Sequence, residues 1–288
     1  MSYGLSVLGS INLDLIVSTV RLPQAGETVT GGTFTALPGG KGANVAVAAK
    51  RLGAETEIIA AVGDDDYAAQ ALIHLEKEGV YLDAVERLET HTGLALISVA
   101  SSGENQISVA SGANAKLSSE HLPKLCSDYL ITQFEIPLET IRAAIQDYTG
   151  FVAVNASPIF PAAQDILERA DLIIVNQIEA DAYDFSGVKG LVAITLGSQG
   201  AELWQGGELI ARATPPKVEV VDTTGAGDAF AAGLVVALAE GQPKHDALKF
   251  ACAVGALTTT RLGTQTANPS REAVEAVLRV QGLSLIHI

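Results

Sequence analysis

Cysteine, positive charge and long apolar runs are all scarce in this chain. Its two cysteines, Cys126 and Cys252, are too few for a disulfide framework or a cysteine-rich zinc site. Both sit among alanines or leucines, so they read as buried free thiols. Lysine and arginine total 18 against 33 aspartates and glutamates, a formal net charge of −15. A surface of that sign repels a phosphate polymer, which argues against a nucleic-acid partner. The same field opposes small anions, so an anionic ligand needs a local device such as a helix N-terminus, a bound cation or a lone lysine. No run reaches the roughly 18 apolar residues of a membrane span, which argues against a membrane partner. The stretch from Met1 to Val17 has no basic cluster and carries Asp14, unlike a secretory signal. A cytoplasmic location is expected. Internal repeats, low-complexity tracts and long linkers are also missing.

What is present is apolar content: 48% of the 288 residues are hydrophobic and 18% charged, enough to build a core rather than a disordered chain. Leu5–Leu8, Glu57–Val62, Tyr129–Phe134, Phe151–Val154, Asp171–Val175 and Leu191–Leu196 read as buried strands. Helical stretches fall between them, such as Gly42–Leu52 before Gly53 and Ala68–Glu78 before Gly79. Strands alternating with helices predict a mostly parallel sheet covered on both faces, with ligands outside the carboxyl ends of the strands. A second kind of strand, half exposed and without intervening helices, is expected at Glu27–Phe34, Leu94–Val99 and Gln106–Ala110. These should make a small separate sheet. Leu283–Ile288 abandons the charged pattern of the helix expected at Arg271–Gln281 and reads as a non-native tail.

Several residues just past these strands could carry chemistry. Asp222-Thr223-Thr224-Gly225-Ala226-Gly227-Asp228 leads into an apolar stretch, Ala229–Glu240, closed by Gly241. Glycines at a helix start let amides crowd together where the helix dipole is positive, which makes an anion hole. A carboxylate there either caps the helix or takes a proton from a hydroxyl aimed at a phosphoryl group, so Asp228 is a candidate base. Gly39-Gly40-Lys41-Gly42-Ala43-Asn44 opens another helix; it lacks the Ser or Thr of a P-loop, and no GxGxxG follows the first strand. It is either a plain helix-start turn or a close backbone approach to a polar ligand, with Asn44 offering donor and acceptor. Asn12 and Asp14, two residues apart, suit vicinal hydroxyls if the chain stays extended, or merely form a turn. Glu135, Asn176 and Glu179 occupy the same position past later strands, as solvated loop residues or as ligand groups; Glu179 could hold hydrated Mg²⁺. Thr195, Gly197 and Gly200 end another strand, in a hairpin turn or against phosphates.

Taken together, Gly9-Ser10-Ile11-Asn12-Leu13-Asp14, the Gly39–Asn44 loop and the Asp222–Asp228 loop resemble the ribokinase, or PfkB, family of carbohydrate kinases, from about Leu5 to about Ala276. The resemblance implies an α/β core over residues 1–282 with a discontinuous β lid at about 12–36 and 92–112. It implies sugar contacts at Asn12, Asp14, Gly39, Gly40, Lys41, Asn44 and Glu135, with Asp228 as base and Gly225, Ala226 and Gly227 as anion hole. ATP would lie against Asn176, Glu179, Thr195, Gly197, Gly200, Gly225 and Gly227, with Mg²⁺ near Glu179. A monovalent cation, K⁺, would sit at Asp222, Thr224 and Gly263. The implied activity is ATP-dependent phosphorylation of a sugar hydroxyl, foremost the 5-hydroxyl of ribose. Deoxyribose, a nucleoside such as pseudouridine, or a sensor without catalysis are the alternatives. Exposed lid strands could pair copies into a homodimer.

Three departures from the family stand out. The segment between Glu179 and Val192 is shorter by about one helix, though still long enough for a right-handed crossover. Ala267 replaces the usual hydroxyl residue near the cation, and Asn155-Ala156-Ser157-Pro158 replaces the usual Asn-Pro-Ala-Pro.

Overall fold

The computed structural model describes residues 4–280; the tail expected at Leu283–Ile288 lies outside them. The large sheet runs, in spatial order, β13 (Glu208–Ala213), β12 (Ala201–Gln205), β11 (Leu191–Thr195), β10 (Leu172–Asn176), β9 (Phe151–Asn155), β8 (Tyr129–Gln133), β1 (Gly4–Leu8), β4 (Glu55–Gly63) and β5 (Val85–Leu88). Every pairing from β11 to β5 is parallel, and only the β11–β12–β13 edge is antiparallel.

Period-two alternation sorts the apolar residues into two cores. Val7, Ile58, Ile131 and Ile174 face one core, and their chain neighbours Leu8, Ile59, Leu130 and Ile173 face the other. The first core is covered by α1 (Lys41–Arg51), α2 (Asp66–Glu78), α6 (Ala226–Ala239), α7 (Lys244–Thr258) and α8 (Arg271–Val280); the second by α3 (Leu138–Gln146) and α4 (Gln164–Arg169). Helix ends follow local chemistry. Asp65 caps α2 by accepting from the Ala68 amide, and Gly79 ends it in the left-handed conformation. Residues Asp228–Ala237 of α6 are all buried, because α1 and α7 pack on either side of it.

The small sheet has the order β3 (Thr33–Gly39), β2 (Asn12–Thr19), β6 (Gly93–Ala100) and β7 (Asn105–Ala110), with β2 and β6 parallel and the other pairs antiparallel. Both sheets thus receive the chain at one place. β1 ends at Leu8, β2 starts at Asn12, and β3 delivers the chain through Gly40 into α1.

The structure corrects four local expectations. The strand expected at Glu27–Phe34 begins only at Thr33, because Gly26 and Gly31 take positive φ (81° and 83°) and break the extended run. Asn12 and Asp14 do not merely trail the first strand but open β2, an eight-residue strand. Cys126 is exposed rather than buried: it lies in the surface segment between a short 3-10 turn and β8, bonded to the Lys124 carbonyl, whereas Cys252 is buried in α7. Helix α6 starts at Ala226, three residues before the expected Ala229, because Gly225 takes the positive φ (76°) of the cap.

Where the resemblance implies a further helix, α5 (Gln177–Ala180) is a single turn, and no helix occurs in 181–190. Tyr183, Phe185 and Val188 of that segment still pack on the second core.

The first turn of α1 rests on the backbone that leaves β1: a Cβ on Gly42 would stand 2.6 Å from the Ser10 nitrogen and 2.7 Å from the Gly9 carbonyl carbon. Gly42→Ala is therefore expected to destabilise the protein by about 1–3 kcal/mol, the usual cost of overpacking. A chemical denaturation midpoint unchanged from the parent would show that α1 has room to retreat.

Candidate active site

Asp228 is the third residue of α6 and is only 5% exposed. The sequence left open whether it caps its own helix. It does not: the cap is Gly225, without a side-chain bond, and the Asp228 carboxylate instead bonds to side chains of other elements. Its Oδ2 accepts from Asn44 Nδ2 at 2.9 Å and its Oδ1 from Asn155 Nδ2 at 3.2 Å. Lys41 Nζ stands 3.9 Å from the same Oδ1. The nearby Asp228 carboxylate raises the Lys41 pKa above its ordinary value, against the opposing effect of burial and with further help from Glu135 and Glu179.

Glu135, two residues past β8, accepts from the Lys41 backbone amide at 3.1 Å and from the Ser10 hydroxyl. Asp14 lies on β2 against the end of β3, so close to Gly39 that any side chain there would collide with its carboxylate. Burial, followed by the charges of Glu135 and Asp228, pushes the Asp14 pKa up to about 7. Asn12, two residues earlier, is 4% exposed and accepts from Asn114 Nδ2 at 2.7 Å. Gly40 takes φ 89°, and a Cβ on it would stand 2.7 Å from the Asn12 nitrogen. The structure therefore brings Asn12, Asp14, Gly39, Gly40, Lys41, Asn44, Glu135 and Asp228 to one place, at the carboxyl end of the large sheet where the small sheet joins it. The Asn44 Oδ1 atom is buried without a partner, a free acceptor in this cluster.

On the other side of the start of α6 is a cavity of about 700 Å³. Thr195, Gly197, Gly200, Ala226 and Gly227 line it, and open space lies where a Cβ on Gly227 would stand. Its walls are mostly apolar, with Val218, Val220, Phe230 and Cys252 among them. Lys217 is the charged side chain on the lining. Gly225, Asn176 and Glu179 are not on it. Asn176 and Glu179 instead form a capping box: Asn176 Oδ1 accepts from the Glu179 amide and Glu179 Oε2 from the Asn176 amide, both at 2.8 Å.

Asp222, Thr224 and Gly263 also converge. Asp222 Oδ1 accepts from the Thr224 amide (3.0 Å) and hydroxyl (2.6 Å), and Oδ2 from the Gly263 amide (3.1 Å). Burial works to raise the Asp222 pKa, but these three bonds outweigh it and hold the carboxyl below its ordinary range. Ala267 is buried nearby in sequence and contributes no hydroxyl.

Four residues of this region are not among the candidate site residues of the sequence, Asn155 being named there only as part of a departure from the family. Asn155 ends β9 at the same post-strand position as Asn176, a signal that could have found it. Ser10 was visible only as part of a motif. The Asn114 side chain bonds both backbone groups of Ile11 as well as Asn12, and belongs to a short 3-10 helix (Gly112–Lys116) that joins the site from 103 residues away. Lys217 lies in a connection with no motif at all.

Residues 4–271 match the family described as pfkB family carbohydrate kinase. A ribokinase from Bacillus subtilis is 37% identical, the match covering 94% of this chain and 98% of that protein. The solved structure of ribokinase from Thermotoga maritima superposes with a TM-score of 0.89 at 32% identity, covering 96% of this chain and 99% of that one. That of Arabidopsis thaliana ribokinase complexed with ribose and ATP gives 0.84 at 30% identity, covering 97% and 99%. By the match over residues 4–271 and by these relatives, the chain belongs to the pfkB family of carbohydrate kinases.

Proposed function

We propose that this protein transfers the terminal phosphoryl group of ATP to the 5-hydroxyl of ribose. The observation that carries the reading is the placement of Asp228 between the polar cluster around Asp14 and the apolar cavity at the start of α6. The relatives named above, one of them a structure complexed with ribose and ATP, support the choice of both substrates.

The sugar binds among Asn12, Asp14, Gly39, Gly40, Asn44 and Glu135, whose carboxylates and amides match a row of hydroxyls. Asp228 takes the proton of the attacking hydroxyl, and Asn44 and Asn155 hold its carboxylate in place. The first amides of a helix lack intrahelical acceptors, so those at Gly225 and Gly227 offset charge developing on the transferred group, whereas the Ala226 amide, expected to join them, already donates to the Thr223 carbonyl at 3.3 Å. Lys41 adds a positive charge beside it. The nucleotide fills the cavity lined by Thr195, Gly197 and Gly200, and its phosphates run toward Gly227. The small sheet closes over the sugar as a lid and excludes water.

Mg²⁺, which keeps most of its waters and needs only one or two carboxylates, would neutralise phosphate charge here. Glu179 would hold it through water, with one oxygen already committed to Asn176. The oxygen donors at Asp222 and Thr224 suit a monovalent cation such as K⁺, which would sit where Asp222 is held ionised. The free thiols of Cys126 and Cys252 suit a reducing compartment, and a cytoplasmic location is part of this reading. So is a homodimer. Ile16, Ile97 and Ile107 are cross-strand neighbours on one face of the small sheet. Ile107 and Val109 are 56% and 57% exposed, and a second copy would cover them.

Asp228→Asn is expected to lower kcat by about 10²–10⁴-fold and leave ribose affinity by calorimetry within a few-fold; equal kcat in the two proteins removes Asp228 as base. A panel of ribose, deoxyribose and pseudouridine, read by ADP release, tests the acceptor. Ile107→Asp is expected to sediment as a monomer where the parent sediments as a dimer; a dimer in both rules out this face.

Asp14 gives a pH signature. Its unfolded form releases the proton near the ordinary 3.8 and its folded form near 7. Between these values the folded state holds a proton that the unfolded state has lost, so the contribution is fully present in acid and is lost as pH rises toward about 7. Asp14→Asn is therefore expected to gain in melting temperature relative to the parent between pH 4 and about 7. Parallel melting curves across that window would show that Asp14 titrates normally.

A further inference from the structure

The loop between α7 and α8 touches both halves of the site, and Thr264 is where the two contacts meet. Thr264 is 7% exposed. Its hydroxyl donates to the Pro38 carbonyl at 3.3 Å, on the last stretch of β3 before Gly39 and Gly40. Its carbon atoms fill the space beside Gly225: an atom at the Cβ position of Gly225 would stand 3.1 Å from Thr264 Cβ and Cγ2. The neighbouring Gly263 repeats the pattern, its amide on Asp222 Oδ2 at 3.1 Å and its Cβ position 3.7 Å from Leu37 Cδ1.

The other end of the loop is anchored. Arg51, on the last turn of α1, donates to the carbonyls of Asn268 (2.6 Å) and Thr266 (3.2 Å), and is itself held by Glu78 of α2 at 2.7 Å. A loop pinned at residues 266–268 has little freedom to absorb a shift of β3 by drifting as a whole. Such a shift is passed on through Thr264.

We propose that Thr264 is a positioning residue that couples occupancy of the sugar cluster to the geometry of the Gly225–Gly227 amides. A sugar held by Asp14 and the Gly39–Gly40 backbone fixes the end of β3. The Pro38 carbonyl then fixes the Thr264 hydroxyl, and the Thr264 side chain fixes Gly225 from behind, in the position that receives the phosphates. The two ligands thereby assist each other through the protein as well as at the point where hydroxyl and phosphoryl group meet, and the coupling is reciprocal. This rests on the sugar-kinase reading and adds to it a path between the two substrates.

The test is calorimetric titration of the full chain with a nonhydrolysable ATP analogue, with and without saturating ribose. In the parent, ribose is expected to tighten the analogue by about tenfold, within the ordinary range of such coupling. Thr264→Val keeps the volume and removes the hydroxyl; Thr264→Ala removes it with a smaller side chain, so that at least one variant without the hydroxyl folds. Either is expected to bring the ratio below about twofold while each ligand alone binds within about threefold of the parent. Thr264→Ser restores the hydroxyl and should recover most of the ratio. The proposal is overturned if the Val and Ala variants keep the parental ratio, or if ribose leaves the analogue's affinity unchanged in the parent. In both cases the parent still binds ribose, so the kinase reading stands. A parent that binds no ribose overturns both.

Discussion

A carboxylate taken out of water must be paired or hydrogen-bonded, because an isolated buried charge costs far more than folding can supply. Asp228 meets this requirement with partners from two other elements, Asn44 on α1 and Asn155 at the end of β9, with Lys41 close by. These contacts span 184 and 73 residues of chain. The relative placement of α1, α6 and the middle of the large sheet therefore depends on the same atoms that would handle the transferred proton. Stability and chemistry are not separable here. Weakening the amide contacts would leave the charge stranded as well as misplaced.

The same economy governs the anion problem posed by a net charge of −15. With 18 lysines and arginines against 33 aspartates and glutamates, the chain has few cations to offset it. It concentrates positive character at the amide-rich start of α6, at Lys41, and at Lys217 on the rim of the cavity. The three carboxylates of Asp14, Glu135 and Asp228 stand on the opposite side of that helix start, and their mutual repulsion, added to burial, is what lifts Asp14 toward neutrality. One helix terminus thus divides a negative compartment suited to hydroxyls from a neutral one suited to a nucleotide.

The compressed crossover after β10 shows how far the fold tolerates loss. A single turn, α5, survives, closed on itself by the Asn176–Glu179 capping box. Tyr183, Phe185 and Val188, in the segment that follows, cover the second core. The parallel register of β10 with β11 is intact over five residue pairs. Cover for the sheet requires apolar side chains at the right places, and a helix is only one way of supplying them.

The alternation of apolar strands and helices, the helix-ending glycines at 53, 79 and 241, and the Gly-rich start of α6 were readable from the chain alone, because each depends on neighbours within a few residues. So was the placement of Glu135 and Asn176 at the carboxyl ends of their strands, since the ligand edge of a parallel sheet follows from strand direction; Asp14, expected there too, proved to lie within β2. The start of β3 and the exposure of Cys126 were not readable: one turned on two glycine φ angles, the other on which side of a surface segment faced the sheet. Nor were Asn114, Thr264 and Lys217 recognisable as neighbours of the site, for they reach it across loops with no periodicity. Short-range chemistry set the elements and the ends at which polar groups gather. Which carboxylate would be paired, which would be pushed toward neutrality, and which loop would lie behind the glycines depended on distances between segments up to 226 residues apart, and such distances exist only once the chain has closed around them.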